Sequence, residues 1–202
     1  MSPGATYSII TFSLGLILLL CWLYATADNP RSWVILAKSA LLFALPIMFF
    51  PGGALARLGM WASVACEEGL KAFASTREQN RADRFWLVAL FGIWELTLDK
   101  PFWGRILASP IANYDRVEVL GLVYATALPV LMHMVTAAIY AFAFEKRVWA
   151  AFIAAWIVHW TFNEAVGYFH LSAAAAILET VILGLILVGI LNVRRPIEEA
   201  TG

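Results

Sequence analysis

Ionisable and amide side chains recur at helical spacing in a chain otherwise dominated by apolar residues. Glu67 and Glu68 are followed by Lys71, Phe91 by Glu95 four residues on, a lone His133 comes next, and His159 is followed by Asn163 four residues on. These are the parts of a hydrolytic site. A carboxylate can take a proton from water as a general base. An imidazole N–H together with an Asn amide can stabilise the oxyanion of an acyl-transfer intermediate. Carboxylates crowded together titrate as a coupled set, so roles rather than individual titration values are assigned to them.

The local spacings decide which groups share a face. His159 and Asn163 are i, i+4, as are Phe91 and Glu95, while Glu67 and Lys71 are i, i+4 in the favourable acid-first order. Glu67 and Glu68 diverge by about 100° around a helix. One of them can therefore face a cluster while the other pairs with Lys71 or a neighbouring helix, and the sequence leaves open which does so. Glu164 diverges by the same angle from Asn163. Lys38, Glu164 and Glu179 are lesser polar cases, and His170 and Glu179 read as turn and helix-contact residues.

The elements that must position these groups follow from composition. Of 202 residues, 62% are hydrophobic and 14% charged, against a globular norm of roughly 45–50% and 25%. That balance indicates an integral membrane protein. Fourteen basic and fourteen acidic residues give a formal charge of zero, which removes the electrostatic basis for binding nucleic acid or for a polybasic surface anchor. Cys21 and Cys66 both lie in apolar stretches, so neither a disulfide framework nor a CxxC site is expected.

A membrane-spanning helix needs about 20 mostly apolar residues. Seven windows qualify, at roughly 7–27, 32–50, 54–76, 85–98, 117–144, 148–168 and 171–192. Between them lie Asp28-Asn29-Pro30, Pro51-Gly52-Gly53, the charged stretch Arg77 to Arg84, a segment 99–116, Glu145-Lys146-Arg147 and a turn near His170. The expected fold is an all-α polytopic transmembrane bundle of about seven helices, forming one domain over 1–202. Ala25-Thr26-Ala27 is similar to a signal-peptidase site, but no Lys or Arg precedes it, so the first window is read as a helix. The fourth window is short, and Pro101, Phe102, Trp103, Gly104 and Pro110 after it suggest a re-entrant or interfacial segment with an aromatic belt. With seven crossings, Arg31, Arg77, Arg81, Arg84, Lys146, Arg147, Arg194 and Arg195 fall on one side, against Arg57, Lys100, Arg105 and Arg116. The expected location is a bacterial inner membrane, and this asymmetry puts the N-terminus outside and the C-terminus in the cytoplasm.

Ionisable groups at a bilayer centre cost about 2.5–3.5 kcal/mol each and are functional-site candidates by default. Their depths coincide. Glu67 lies nine residues from Thr76, Glu95 ten from Phe85, His133 eleven from Phe144 and His159 eleven from Val148. At the helical rise, all four fall roughly 13–17 Å from the same face, which places them in one layer at the midplane. Three uncompensated carboxylates there would cost on the order of 8–10 kcal/mol, comparable with the stability of a whole domain. A wet cavity, shared protons or mutual hydrogen bonds must relieve that cost.

The order Glu67-Glu68-x-x-Lys71, Phe91-x-x-x-Glu95, His133, His159-x-x-x-Asn163, spread over about residues 60–170, resembles the PrsW-type branch of the superfamily of CAAX prenyl endopeptidases and bacteriocin-processing membrane proteins. The resemblance implies an intramembrane endopeptidase acting through glutamate-activated water or, in older descriptions, a metalloprotease. It makes Glu67 the general base with Glu68 supporting it, and His159 with Asn163 the oxyanion side. His133 would assist the water or proton transfer, and Glu95 stands where prenyl-protease relatives have His. Lys71 and Phe91 are supporting residues. The implied partners are the lipid bilayer and a single-span, membrane-anchored protein of the anti-sigma-factor type. No cofactor is required, although His133, His159, Glu67 and Glu95 could hold a zinc ion.

Other readings of the same residues are a zinc-dependent membrane amidohydrolase, a non-catalytic scaffold subunit, and a secondary transporter using midplane acids as a proton relay. A further one is a thiol enzyme built on Cys66. The oligomeric state is not encoded in these patterns.

Overall fold

The computed structural model describes residues 3–49, 59–99, 119–144, 147–169, 177–178 and 180–190, and among these all regular structure is helical. In chain order the described helices are α1 (Pro3–Ala25), α2 (Pro30–Phe49) and α3 (Met60–Ser75). They continue with α4 (Arg81–Trp94), α5 (Val119–Ala138), α6 (Val148–Phe169) and α7 (Thr180–Ile190). The all-α expectation holds, and the described helices fall within or close to the seven apolar windows.

Helix starts follow local chemistry. At α2 the Asn29 side chain accepts from the Arg31 N–H at 3.0 Å, and Pro30 occupies the first helical position, where its missing N–H costs nothing. At α4 the Asn80 side chain accepts from the N–H groups of Ala82 and Asp83 at 2.9 and 3.2 Å. This cap starts the fourth helix at Arg81, inside the stretch expected to be a loop. After Trp94 that helix continues through a π-helical turn, Glu95–Asp99. The helical stretch is therefore longer than the 85–98 window. The expected interfacial segment past Asp99, the Pro51-Gly52-Gly53 turn, His170 and Glu179 all lie outside the described residues.

Three helices widen into a π turn, at Ala40–Ala44 in α2, at Glu95–Asp99 after α4, and at Ile139–Ala143 after α5. In α2 the cause is Pro46. Its ring crowds the carbonyl one turn back and it has no N–H to donate, so the preceding turn opens and Leu45 N–H reaches the Ala40 carbonyl instead. After α4, the Thr97 hydroxyl donates to the Ile93 carbonyl at 2.6 Å and competes with the backbone ladder. The other two π turns carry Glu95 and Tyr140, both of which belong to the site described below.

Helix α4 is central because it is apolar on every side. Leu87 through Ile93 are all buried, and the helix shares in both hydrophobic cores. One core joins α4 to α5, α6 and α7 through Val88, Met132, Val135, Ala155 and Leu183. The other joins it to α1, α2 and α3 through Trp22, Ile35, Phe43, Ala74 and Leu90. At one end, Arg31 pairs with Asp83 at 3.5 Å, Lys38 pairs with Glu78, and Arg84 donates to the Glu78 carbonyl. The starts of α2 and α4 therefore lie at the same end, as alternating helix directions require.

Among the described residues, many large apolar side chains face outward. Ile17, Leu20, Leu41, Phe49, Trp149 and Leu185 are all more than half exposed. The stretches Ser8–Ala25 and Pro30–Phe49 are long and apolar enough to cross a membrane, and only 22% and 33% of them is buried. A core helix of a soluble protein of that length would be mostly buried.

Gly92 lets α5 approach α4 at the site. A Cβ built there would lie 2.8 Å from Cδ2 and 2.9 Å from Cβ of His133. Gly92→Ala should therefore displace the His133 ring or separate the two helices, costing about 1–3 kcal/mol by overpacking. Thermal unfolding of the detergent-solubilised variant measures that loss, and an unchanged midpoint would show that the α4–α5 contact is looser than this.

Candidate active site

Helix α3 carries Glu67, Glu68 and Lys71. Glu68 and Lys71 point inward and are fully buried, and the Glu67 side chain is 19% exposed at the edge of the same cluster. Lys71 Nζ donates to Glu68 Oε1 at 2.5 Å and to His133 Nδ1 at 2.7 Å, and it lies 4.6 Å from the centre of the Phe91 ring. An ammonium has only donors, so Nδ1 of His133 is the acceptor and the ring proton sits on Nε2. That N–H donates to Glu95 Oε2 at 2.5 Å. Both nitrogens of His133 are thus engaged. The Phe91 ring packs edge-on against the same imidazole, with centroids 5.0 Å apart.

His159 is engaged on one side only by a strong bond. Its Nδ1–H donates to Glu68 Oε1 at 2.8 Å. Its Nε2 faces Glu67 Oε2 across 3.8 Å, too far for a direct hydrogen bond but a spacing that one water can bridge. The two imidazoles stand perpendicular, with centroids 5.1 Å apart. Glu68 is the hub. Its Oε1 accepts from Lys71 and His159, while the Tyr140 hydroxyl lies 2.9 Å from its backbone carbonyl and 3.2 Å from Oε2 and shares one proton between them.

The residues singled out from sequence therefore meet. Glu67, Glu68, Lys71, Phe91, Glu95, His133 and His159 form one contiguous group drawn from four helices. Asn163 stands half-buried one turn beyond His159 on α6, and among the described residues no hydrogen bond ties it to the group. The choice left open between the two adjacent acids is resolved in position, with Glu68 pairing Lys71 and Glu67 at the accessible edge. Cys66 is exposed on the other side of α3. Lys38 belongs to the ion pair with Glu78.

Tyr140 is the member that sequence reasoning missed. It lies seven residues after His133, a spacing that returns to the same helix face, and this periodicity was the available signal. The π turn that holds it alters the angle at which its hydroxyl reaches Glu68, and nothing in the residue types announces that turn.

For metal binding, the ligand atoms of Glu68, His133 and His159 lie within 4.8 Å of one another. This set differs from the His133, His159, Glu67 and Glu95 set expected from sequence. The donors do not fit a zinc ion as they stand, because the Lys71 ammonium is hydrogen-bonded to two of the three. Compared with protein-family models, with curated proteins and with solved structures, the chain matches none.

Removing one member of the buried set should be costly. Glu68→Ala strands the Lys71 ammonium in a dry interior and should destabilise by about 3–5 kcal/mol, whereas Tyr140→Phe, losing one hydrogen bond to a carboxylate, should cost about 1.5–3 kcal/mol. Denaturant unfolding in detergent reads both values. A Glu68→Ala protein as stable as wild type would mean that the pair contributes nothing to folding.

Proposed function

We propose that the chain is a polytopic membrane bundle whose helices cross the bilayer around this polar interior. Two features support the reading. Large apolar side chains face outward while the interior holds a buried carboxylate, an ammonium and two imidazoles, the reverse of a water-soluble fold. The described helices also correspond to the seven apolar windows, with the N-terminus on the outer side by the positive-charge rule.

Within that bundle we propose an intramembrane endopeptidase that hydrolyses a peptide bond in a membrane-anchored protein through water activated by Glu67. The observation that carries this is the facing of Glu67 Oε2 and His159 Nε2 across 3.8 Å, with the far side of His159 held by Glu68. A water bridging these two acceptors donates one proton to each and turns a lone pair outward. In the reaction its oxygen bonds to the scissile carbonyl carbon, its proton passes to Glu67, and the carbonyl electron pair moves onto oxygen. Asn163, one turn along α6, supplies an N–H to that oxyanion; His159, expected to share that role, has its N–H committed to Glu68 and accepts from the water instead. Collapse then breaks the C–N bond, and the proton held by Glu67 goes to the leaving amine. His133 has both nitrogens engaged, so it positions Lys71 and Glu95 and does not carry the proton. A single-span substrate is the fitting class, because only a chain already in the membrane reaches a site at that depth.

The test is cleavage of a single-span reporter by the purified protein in detergent. Glu67→Gln should lower turnover by roughly 100-fold or more, with thermal unfolding within a few degrees of wild type. Asn163→Ala should lower it by about 100-fold. Equal turnover by wild type and Glu67→Gln would remove Glu67 as the base. A well-folded wild type that cuts no member of a single-span reporter library would favour a scaffold over an enzyme.

A further inference from the structure

We propose that Lys71 is a built-in cation occupying what would otherwise be a divalent-metal position, so that replacing it with a small residue turns Glu68, His133 and His159 into a metal site. The inference rests on the geometry of the cluster and not on the peptidase reading, since metal binding is read without any substrate.

Three observations carry it. One carboxylate and two imidazoles that lie within 4.8 Å of one another are the donor types of a three-ligand zinc centre. The Lys71 ammonium contacts the carboxylate at 2.5 Å and an imidazole nitrogen at 2.7 Å, so a positive charge already sits against the ligands. The remaining surroundings also suit a cation. The Phe91 ring face lies 4.6 Å from the ammonium, and Tyr140 and Glu95 hold the outer atoms of Glu68 and His133 in the manner of the groups that orient metal ligands.

A tethered ammonium and a divalent ion cannot share the position, because both need the same lone pairs and repel each other at close range. The wild-type chain therefore has a cation that neither chelators nor metal supply can change. Truncating Lys71 removes that charge and leaves Glu68 without its counter-ion. Glu68 and His133 are then free to close on a metal, and His159 joins them through Nδ1 as its proton moves to Nε2, the nitrogen that faces Glu67.

The experiment titrates Co2+ and Zn2+ into the full-length protein in detergent, following Co2+ ligand-field absorption and the thermal midpoint. Lys71→Ala is the principal variant. Lys71→Ser is the second, and it leaves a small donor near Glu68 should the alanine variant not fold. The expected result is one Co2+ per chain in either variant, with affinity at least roughly 100-fold above wild type. Zinc should raise the variant midpoint and leave the wild-type midpoint unchanged, and adding His159→Ala should abolish the spectrum. Wild type binding Co2+ as tightly as the variants would overturn the proposal, since Lys71 would then not hold the position. Two folded variants that bind no metal would overturn it equally, because the three ligands would not form a cation site.

Discussion

The interior of this bundle is organised by one ion pair, Glu68 with Lys71, fully buried and three residues apart on α3. Taking two charges out of water costs several kcal/mol per ion, and mutual attraction offsets that only where the remaining donors and acceptors are also satisfied. The pair cannot do this alone. Glu68 needs the hydroxyl of Tyr140 from α5 and the N–H of His159 from α6, and Lys71 needs the acceptor nitrogen of His133 and the ring of Phe91 from α4. Three neighbouring helices are thereby held at fixed rotation and height against α3. The polar set constrains their register in a way that interchangeable Leu, Val and Ala contacts do not.

The position of that constraint explains an otherwise odd distribution of surfaces. Polar groups fill the middle while large aliphatic and aromatic side chains face outward on α1, α2, α6 and α7. In water the exposed apolar area would drive association. In the proposed membrane setting that surface would face hydrocarbon without this cost, and each interior polar atom would need a partner. Gly92 on α4 and Gly15 on α1 serve the same end. The first lets α5 bring His133 to the ammonium, and the second lets α1 lie against Thr97 in the π turn that begins with Glu95.

The positions of the helices and most of the cluster were readable from residue type and spacing. The apolar windows overlap the observed helices, and Glu67, Glu95, His133 and His159 lie in one cluster, as their similar distances from the helix ends suggest, because helix rise is nearly constant. What escaped the sequence was rotational detail. Glu67 and Glu68 are chemically identical neighbours, and only the packing of α5 and α6 against α3 decides which is buried. The start of α4 is set by Asn80, whose side-chain oxygen accepts from two backbone N–H groups and so turns into helix a stretch whose charge density reads as a loop. Tyr140 was hidden by a π turn that depends on how the end of α5 packs.

The two histidines differ in how many of their ring nitrogens the surrounding charges hold. Both are buried imidazoles at similar depth, yet the ammonium touches only one of them. His133 accepts from Lys71 and donates to Glu95, so its proton position is dictated at both nitrogens and its ring is a fixed strut between charges. His159 donates to the carboxylate that Lys71 already neutralises, which fixes its tautomer and directs the other nitrogen toward Glu67 at the accessible edge. Exchanging the two roles would require the cation to sit against His159, whereas its donors are committed to Glu68 and His133. The saturated half of the site thus holds the open half in place. On the proposed reading, the chemistry would run at the edge where Glu67 and His159 face each other.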